Sequence, residues 1–345
     1  LIEYLGEDPG TRVIATYVEQ IKDGRRFMEV ARRVSRVKPI VLLKGGRSSA
    51  GARAVSSHTG SLAGSYSAYQ AAFKQAGVIE VDTLNALFET ALAFDFQPLP
   101  AGRRAVIITN AGGPAALASD ALSANGLVLD DLEPETRASL RAALNPAAQV
   151  GNPVDILGGA EPPDYALCTS TLMKDDCVDI VLPLLVPQAL VSSAGVAQAV
   201  VDASAAREKT VLACIMGDIS IDEARLTLHE NRIPMYTQPE AMGTVLKAML
   251  DYREWLARPA VTPPTLMGID RAAAAMVLKQ AAGNASLGEA ETRPLLAAYG
   301  IPQVEGGFAA SAAAAVDVAQ RIGYPVVMKI VSPQLLHKSD VAASV

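Results

Sequence analysis

Ala105-Val106-Ile107-Ile108-Thr109 runs without a break into Asn110-Ala111-Gly112-Gly113-Pro114. The first five residues are apolar and mostly β-branched, as in a strand buried on both faces. The glycines turn the chain, and Pro114 fits the first position of a helix, where its missing N–H costs nothing. A helical pattern follows over residues 114–125. The same unit recurs on both sides. Apolar runs at 13–18, 40–43, 179–186, 211–216, 233–236 and 326–331 alternate with helical stretches at 25–37, 65–76, 191–207 and 239–256. Continuous apolar strands separated by helices predict an α/β fold, with parallel sheets covered on both faces.

The chain has 345 residues, enough for two or three domains. Half of them are hydrophobic and 19% are charged, which describes a packed globular protein rather than a disordered one. A net charge of −6 argues against a protein that coats nucleic acid or an anionic membrane, and leaves room for one local anion pocket. Cys168, Cys177 and Cys214 have no paired spacing and histidine is scarce, so neither a disulfide framework nor a cysteine zinc site is expected. No apolar run approaches the ~18 residues of a membrane span, and no secretory signal opens the chain. With no initial Met and a last residue in mid-pattern, the sequence reads as a cytoplasmic fragment. Proline-rich segments at 97–102 and 258–264 read as linkers, which divides the chain into 1–98, 99–258 and 259–345.

Candidate chemistry sits at the ends of the apolar runs. Lys44-Gly45-Gly46-Arg47-Ser48-Ser49-Ala50-Gly51 continues to Ser56-Ser57-His58-Thr59-Gly60-Ser61-Leu62-Ala63-Gly64. Read as one loop between a strand and a helix starting near Ser65, this is far longer than a usual connection. It is either a flexible surface loop with an incidental histidine or an anion site. In the second reading Lys44, Arg47 and backbone N–H groups hold phosphate while His58 serves as acid, base or nucleophile. The glycine turn at 110–114 would let an anion reach the free N–H groups of a helix end, although it lacks the Gly-x-Gly-x-x-Gly pattern. Glu19 ends the run 13–18; it is either a solvated carboxylate or a partner that fixes the His58 tautomer. Lys329 ends the stretch Tyr324-Pro325-Val326-Val327-Met328-Lys329 and is either a surface charge or a contact for nucleotide phosphate. His229 closes a helical stretch and reads as structural.

Together these stretches resemble a family. Ser57-His58-Thr59-Gly60-Ser61-Leu62-Ala63-Gly64 is similar to the phosphohistidine loop of NDP-forming acyl-CoA synthetases, the relatives of succinyl-CoA synthetase. Asn110-Ala111-Gly112-Gly113-Pro114 resembles that family's glycine loop, and Asn152-Pro153-Val154-Asp155 resembles another of its signatures. Residues 324–329 with His337-Lys338-Ser339-Asp340 are similar to the opening of its ATP-grasp domain. The resemblance implies two flavodoxin-like parallel-sheet domains of succinyl-CoA synthetase type, followed by the start of an ATP-grasp domain. That start would contain strands at 303–309 and 326–331. An N-terminal CoA-binding domain would precede Leu1, and the rest of the ATP-grasp domain would follow Val345.

The implied activity makes acyl-CoA from a small carboxylic acid, CoA and ATP, releasing ADP and phosphate through an acyl phosphate and a phosphohistidine at His58. Glu19 would support His58, and His337 would relay phosphate. Ser57, Thr59, Gly60, Ser61, Asn110, Gly112 and Gly113 would bind phosphate, and Lys329 would meet the nucleotide. ATP/ADP with Mg²⁺ and the substrate CoA are the implied ligands, with no metal site expected within these residues. The expected assembly is a homo-oligomer without nucleic-acid or membrane partners. One departure is Val341-Ala342-Ala343-Ser344-Val345, where the family has Val-Gly-Gly-Val; it implies a stiffer ATP-grasp loop. The alternative function is a non-catalytic ligand-sensing or regulatory domain, as in protein acetyltransferases with a similar module. Their histidine is replaced, and the presence of His58 argues for the enzyme.

Overall fold

The computed structural model describes residues 1–59, 65–217, 221–259, 266–283 and 287–331, with only the backbone described at 57–59. Two compact units divide the chain, 1–259 and 260–345. The first unit opens with α1 (Ile2–Glu7), β1 (Ile14–Val18), α2 (Gly24–Val34), β2 (Ile40–Lys44), α3 (Ser49–Thr59), α4 (Tyr66–Ala76), β3 (Ile79–Val81) and α5 (Leu84–Phe96). It continues through β4 (Ala105–Thr109), α6 (Gly112–Ala124), α7 (Pro134–Ala143), β5 (Gln149–Val150), β6 (Val154–Asp155), α8 (Pro162–Met173) and β7 (Ile180–Leu185). It closes with α9 (Ser193–Ala203), β8 (Thr210–Val211), β9 (Ala213–Ile215), α10 (Asp222–Glu230), β10 (Met235–Tyr236) and α11 (Pro239–Ala257).

The first three strands form a parallel sheet in the order β1-β2-β3. Strand β2 is buried along its whole length, and its side chains alternate between two cores, as a period of two requires. Ile40 and Leu42 pack with Ala31, Val34 and Phe73 of α2 and α4. Val41 and Leu43 pack with Val81 and Leu87, the latter from α5. The second sheet runs β10-β9-β7-β4-β6-β5, with β8 also paired to β7. It is parallel except at β5. Val106, Ile108 and Val181 face α7 to α10 in one core, while Ala105, Ile107 and Leu182 face α6 and α11 in the other. Both sheets are therefore covered on both faces, as the apolar runs predict.

Helix α5 serves both sheets. Leu87 lies in the core over β2, Ala93 lies in the core over β4, and Phe94 packs against both. The segment after it is pinned rather than loose. Gln97 accepts from the Val211 N–H at 2.9 Å and donates to the Arg232 carbonyl at 2.7 Å, and Thr210 donates to the Pro98 carbonyl at 2.9 Å.

The second unit contains α12 (Arg271–Gln280), α13 (Glu289–Ala298) and α14 (Ala312–Ile322). Asp270 caps α12 by accepting from the Ala273 N–H at 2.9 Å, and its own N–H donates to the Ala298 carbonyl. The strands expected at 303–309 and 326–331 differ from the structure: among the described residues neither forms a ladder, and only an isolated bridge falls at Lys329. Val304 is 83% exposed and Val327 72%, so among the described residues neither run has the apolar cover that turns a β-prone sequence into a sheet. Among the described residues no helix is long and apolar enough to cross a membrane.

Candidate active site

The carboxyl edge of the first sheet is where its polar residues gather. Strand β1 ends at Val18, and the next carboxylate, Glu19, accepts a hydrogen bond from the Tyr17 hydroxyl at 3.2 Å. Lys44 ends β2 and is buried, at 5% exposure. Its ammonium donates to the Glu19 carbonyl at 2.7 Å and to the Gly45 carbonyl, and it lies 4.7 Å from the centre of the Tyr69 ring. Burial lowers the Lys44 pKa from its ordinary value, while Glu19 and Glu80 pull it back up. Burial raises the Tyr17 hydroxyl, and the Glu19 carboxylate adds to that rise.

The chain then turns sharply into α3. Gly46 sits at φ +74°, a left-handed conformation that glycine adopts without a steric penalty. Residues 49–59 are helical, so 44–64 is not the single long loop that its composition predicts. Ser48 accepts from the Gly51 N–H at 3.1 Å, and its carbonyl takes the Ala52 N–H at 2.7 Å. A serine cap followed by Ala50, Ala52 and Ala54 favours a helix, which the glycine and serine content concealed. His58 is the penultimate residue of α3. Ser57 and Thr59 flank it on the same backbone, while Gly60 and Ser61 lie outside the described residues.

The cations expected to hold phosphate are engaged with the protein itself. Lys44 is bonded to two carbonyls. Arg47 pairs with the Asp82 carboxylate and donates to its carbonyl at 2.8 Å. Nearby, the Tyr66 hydroxyl donates to Glu80 at 2.8 Å. Sequence alone misses these roles, since Asp82, Glu80 and Tyr69 carry no motif. The one available signal was a lysine closing an otherwise apolar strand.

At the carboxyl edge of the second sheet, α6 begins at Gly112, two residues earlier than expected, so Pro114 is its third residue. Those first positions have no intrahelical acceptor, and the proline remains harmless there. No side chain caps α6. A Cβ added to Gly113 would meet nothing within 4 Å, and one on Gly112 would lie 3.8 Å from Asp155 Oδ2. The helix end is thus open to an approaching group. Asn110 spends its amide elsewhere, donating to the Val186 carbonyl at 2.9 Å and accepting from the Val186 N–H at 2.8 Å. Asn152 stitches the strand below, accepting from the Ile107 N–H at 3.3 Å and donating to the Ala105 carbonyl at 2.8 Å. Asp155 accepts from the Leu157 N–H at 3.0 Å.

The structure therefore brings Glu19 together with Tyr17 and Lys44, and separately Asn110 with Gly112, Gly113 and Asp155. Among the described residues no hydrogen bond or ion pair joins these two clusters. Lys329 is exposed in the second unit. His337 lies outside the described residues. Among the described residues no group of three or more His, Cys, Asp or Glu side chains gathers as a metal site.

Two sheets, parallel except at β5 and wrapped in helices, with a glycine-opened helix at the carboxyl edge of the larger one, define an α/β protein. The family description "succinyl-CoA ligase like flavodoxin domain" matches residues 1–94, "ligase-CoA domain" matches 105–261 and "ATP-grasp domain" matches 279–344. The ADP-forming acetate–CoA ligase I of Archaeoglobus fulgidus is 40% identical over 99% of this chain and 49% of its own length. The ADP-forming 4-hydroxybutyrate–CoA ligase of Nitrosopumilus maritimus is 36% identical over 99% of this chain and 49% of its own. Among solved structures, the acetyl-coenzyme A synthetase 1 of Candidatus Korarchaeum cryptofilum, in complex with phosphate and ADP, superposes with a TM-score of 0.70 at 34% identity. That match covers 74% of this chain and 56% of the solved one. The chain belongs to the NDP-forming acyl-CoA synthetase family. It spans about half the length of the curated relatives that it matches.

Proposed function

We propose that this chain carries the phosphohistidine part of an acyl-CoA synthetase that joins a small carboxylic acid to CoA at the expense of ATP. The observation that carries the reading is the uncapped, glycine-opened end of α6, in a chain 40% identical to an acetate–CoA ligase along almost its whole length. Such an end offers oriented N–H groups and a favourable dipole to a phosphoryl anion.

The His337 imidazole would attack the terminal phosphorus of ATP, forming an N–P bond as ADP leaves, and a neutral His58 imidazole would then take over that phosphoryl group, freeing His337. The phosphohistidine would pass its phosphoryl group to the substrate carboxylate, giving an acyl phosphate and free imidazole. The CoA thiol, giving up its proton, would then attack the acyl carbon and release inorganic phosphate. Phosphoryl transfer of this kind asks mainly for positioning and charge neutralisation. Glu19 would accept the second ring N–H of His58 and fix its tautomer. The Gly112 and Gly113 N–H groups would receive the phosphoryl oxygens, while Asn110 would hold that turn to β7 rather than touch phosphate itself. Ser57, Thr59, Gly60 and Ser61 would line the phosphohistidine, His337 would relay phosphate, and Lys329 would meet the nucleotide. Magnesium would supply further charge neutralisation for the triphosphate; the described residues offer no site that fits it, and no step here runs through it.

Labelled ATP, or acetyl phosphate, offered to the full-length protein provides the test. Acid-labile label should appear on His58 and vanish in His58→Ala, together with acyl-CoA formation. Binding of nucleotide or acid with no label on any histidine would instead identify a ligand-sensing module.

A further inference from the structure

Lys44 is a charged residue in a place that a hydrocarbon would fill at lower cost. It is 5% exposed at the end of an apolar strand, and a buried ammonium is costly unless its donors are all used. Two of its three are used, and on main chain rather than on carboxylates. One N–H takes the Glu19 carbonyl at 2.7 Å, one takes the Gly45 carbonyl, and the ammonium also lies over the Tyr69 ring at 4.7 Å. The Gly45 N–H donates to the Val18 carbonyl at 2.9 Å. The residues after β1 and those entering α3 are thus joined twice, through the backbone pair and through one cation. Gly45 is needed for that approach, since a Cβ there would run into the Tyr17 hydroxyl, which is the group that holds the Glu19 carboxylate.

We propose that Lys44 is a positioning residue that locks the Glu19 segment to the turn leading into the His58 helix, so that carboxylate and imidazole share one frame. The proposal rests on the phosphohistidine reading above. Lys44 acts through the segments it joins, with two of its donors on main-chain carbonyls and its head group against the Tyr69 ring.

The experiment is a double-mutant cycle in the full-length protein with Lys44→Met, Glu19→Gln and the combination, read by phosphohistidine formation in single turnovers. Lys44→Met should slow that step about 10- to 100-fold, the scale of a small misplacement of reacting groups, with the KM for ATP unchanged. The double variant should be no slower than Glu19→Gln beyond about threefold, since a residue acting through another adds little once that other is gone. Lys44→Gln keeps an N–H donor group without the charge, should fall between wild type and Lys44→Met, and serves where Lys44→Met does not fold. Full multiplication of the two effects, or a wild-type rate in a folded Lys44→Met, would overturn the proposal. Amide exchange at Gly45 should quicken in Lys44→Met, and unchanged protection there would also overturn it. A silent Glu19→Gln would count against the phosphohistidine reading, while the amide exchange would still judge the clamp.

Discussion

Gly77 lies face to face with Trp255, so close that the ring occupies the space where any other residue would place its Cβ. Gly77 ends α4 at φ +73°, and Trp255 stands near the end of α11. The indole has further partners: the Arg36 guanidinium lies 4.3 Å from its centre, and Tyr252 stacks with it at 6.3 Å. Tyr252 donates to the Ser35 carbonyl at 2.7 Å, and Arg36 donates to the Leu256 carbonyl at 2.8 Å. This cluster ties the helices around the first sheet to the last helix of the second.

Gly77→Ala should therefore destabilise the first unit by about 2–4 kcal/mol, from left-handed strain plus displacement of a packed indole. A lower midpoint in urea and redder, brighter emission from Trp255, the chain's single tryptophan, are the expected readouts. An unchanged midpoint would mean that α11 shifts without cost.

Asp179 gives a pH prediction. Its side chain is 7% exposed and accepts from the Arg104 backbone N–H at 3.0 Å, from Nε at 2.9 Å and from Nη2 at 2.8 Å. Arg104 holds the carboxyl below its ordinary value of 3.8. A carboxyl lowered in the folded state contributes its full stability above the ordinary value and loses it as pH falls through the lowered one. Asp179→Asn should cost about 1–3 kcal/mol at neutral pH. The gap from wild type should narrow when both are unfolded at pH about 3 or below. A gap that stays constant across that range would assign the loss to packing alone.

Asn110→Ala should leave the Val186 N–H and carbonyl without their partner, costing about 2–4 kcal/mol. Because Asn110 carries the turn into α6, phosphohistidine yield should fall while nucleotide affinity does not. Isothermal titration alongside single-turnover labelling separates the two. A loss of affinity equal to the loss of yield would mean that Asn110 contacts the nucleotide.

What could be read from the sequence was whatever depends on neighbours along the chain. Residues 105–109 are a strand in both readings, because five apolar residues before a glycine turn leave few alternatives. Residues 44–64 misled because glycine and serine suit loops, while the deciding feature was a Ser48 side chain bonding the Gly51 N–H. Lys44 and Arg47 misled for a different reason. Charge near a glycine turn looks available for phosphate, and the groups that consume it, two carbonyls and Asp82, are fixed only by tertiary packing. The strands expected at 303–309 and 326–331 had the composition for a sheet, but a sheet also needs a paired neighbour.

Helix α5 has a practical consequence. It belongs by position to the first sheet, yet Ala93 and Phe94 press into the core beneath β4. Pro98 and Gln97 are gripped from the far side by Thr210, Val211 and Arg232. A protease that nicked the chain between residues 98 and 104 would therefore release nothing: both halves would travel as one particle through a sizing column. For the same reason, neither half expressed alone should be a well-behaved protein, since each would present a greasy wall made for the other.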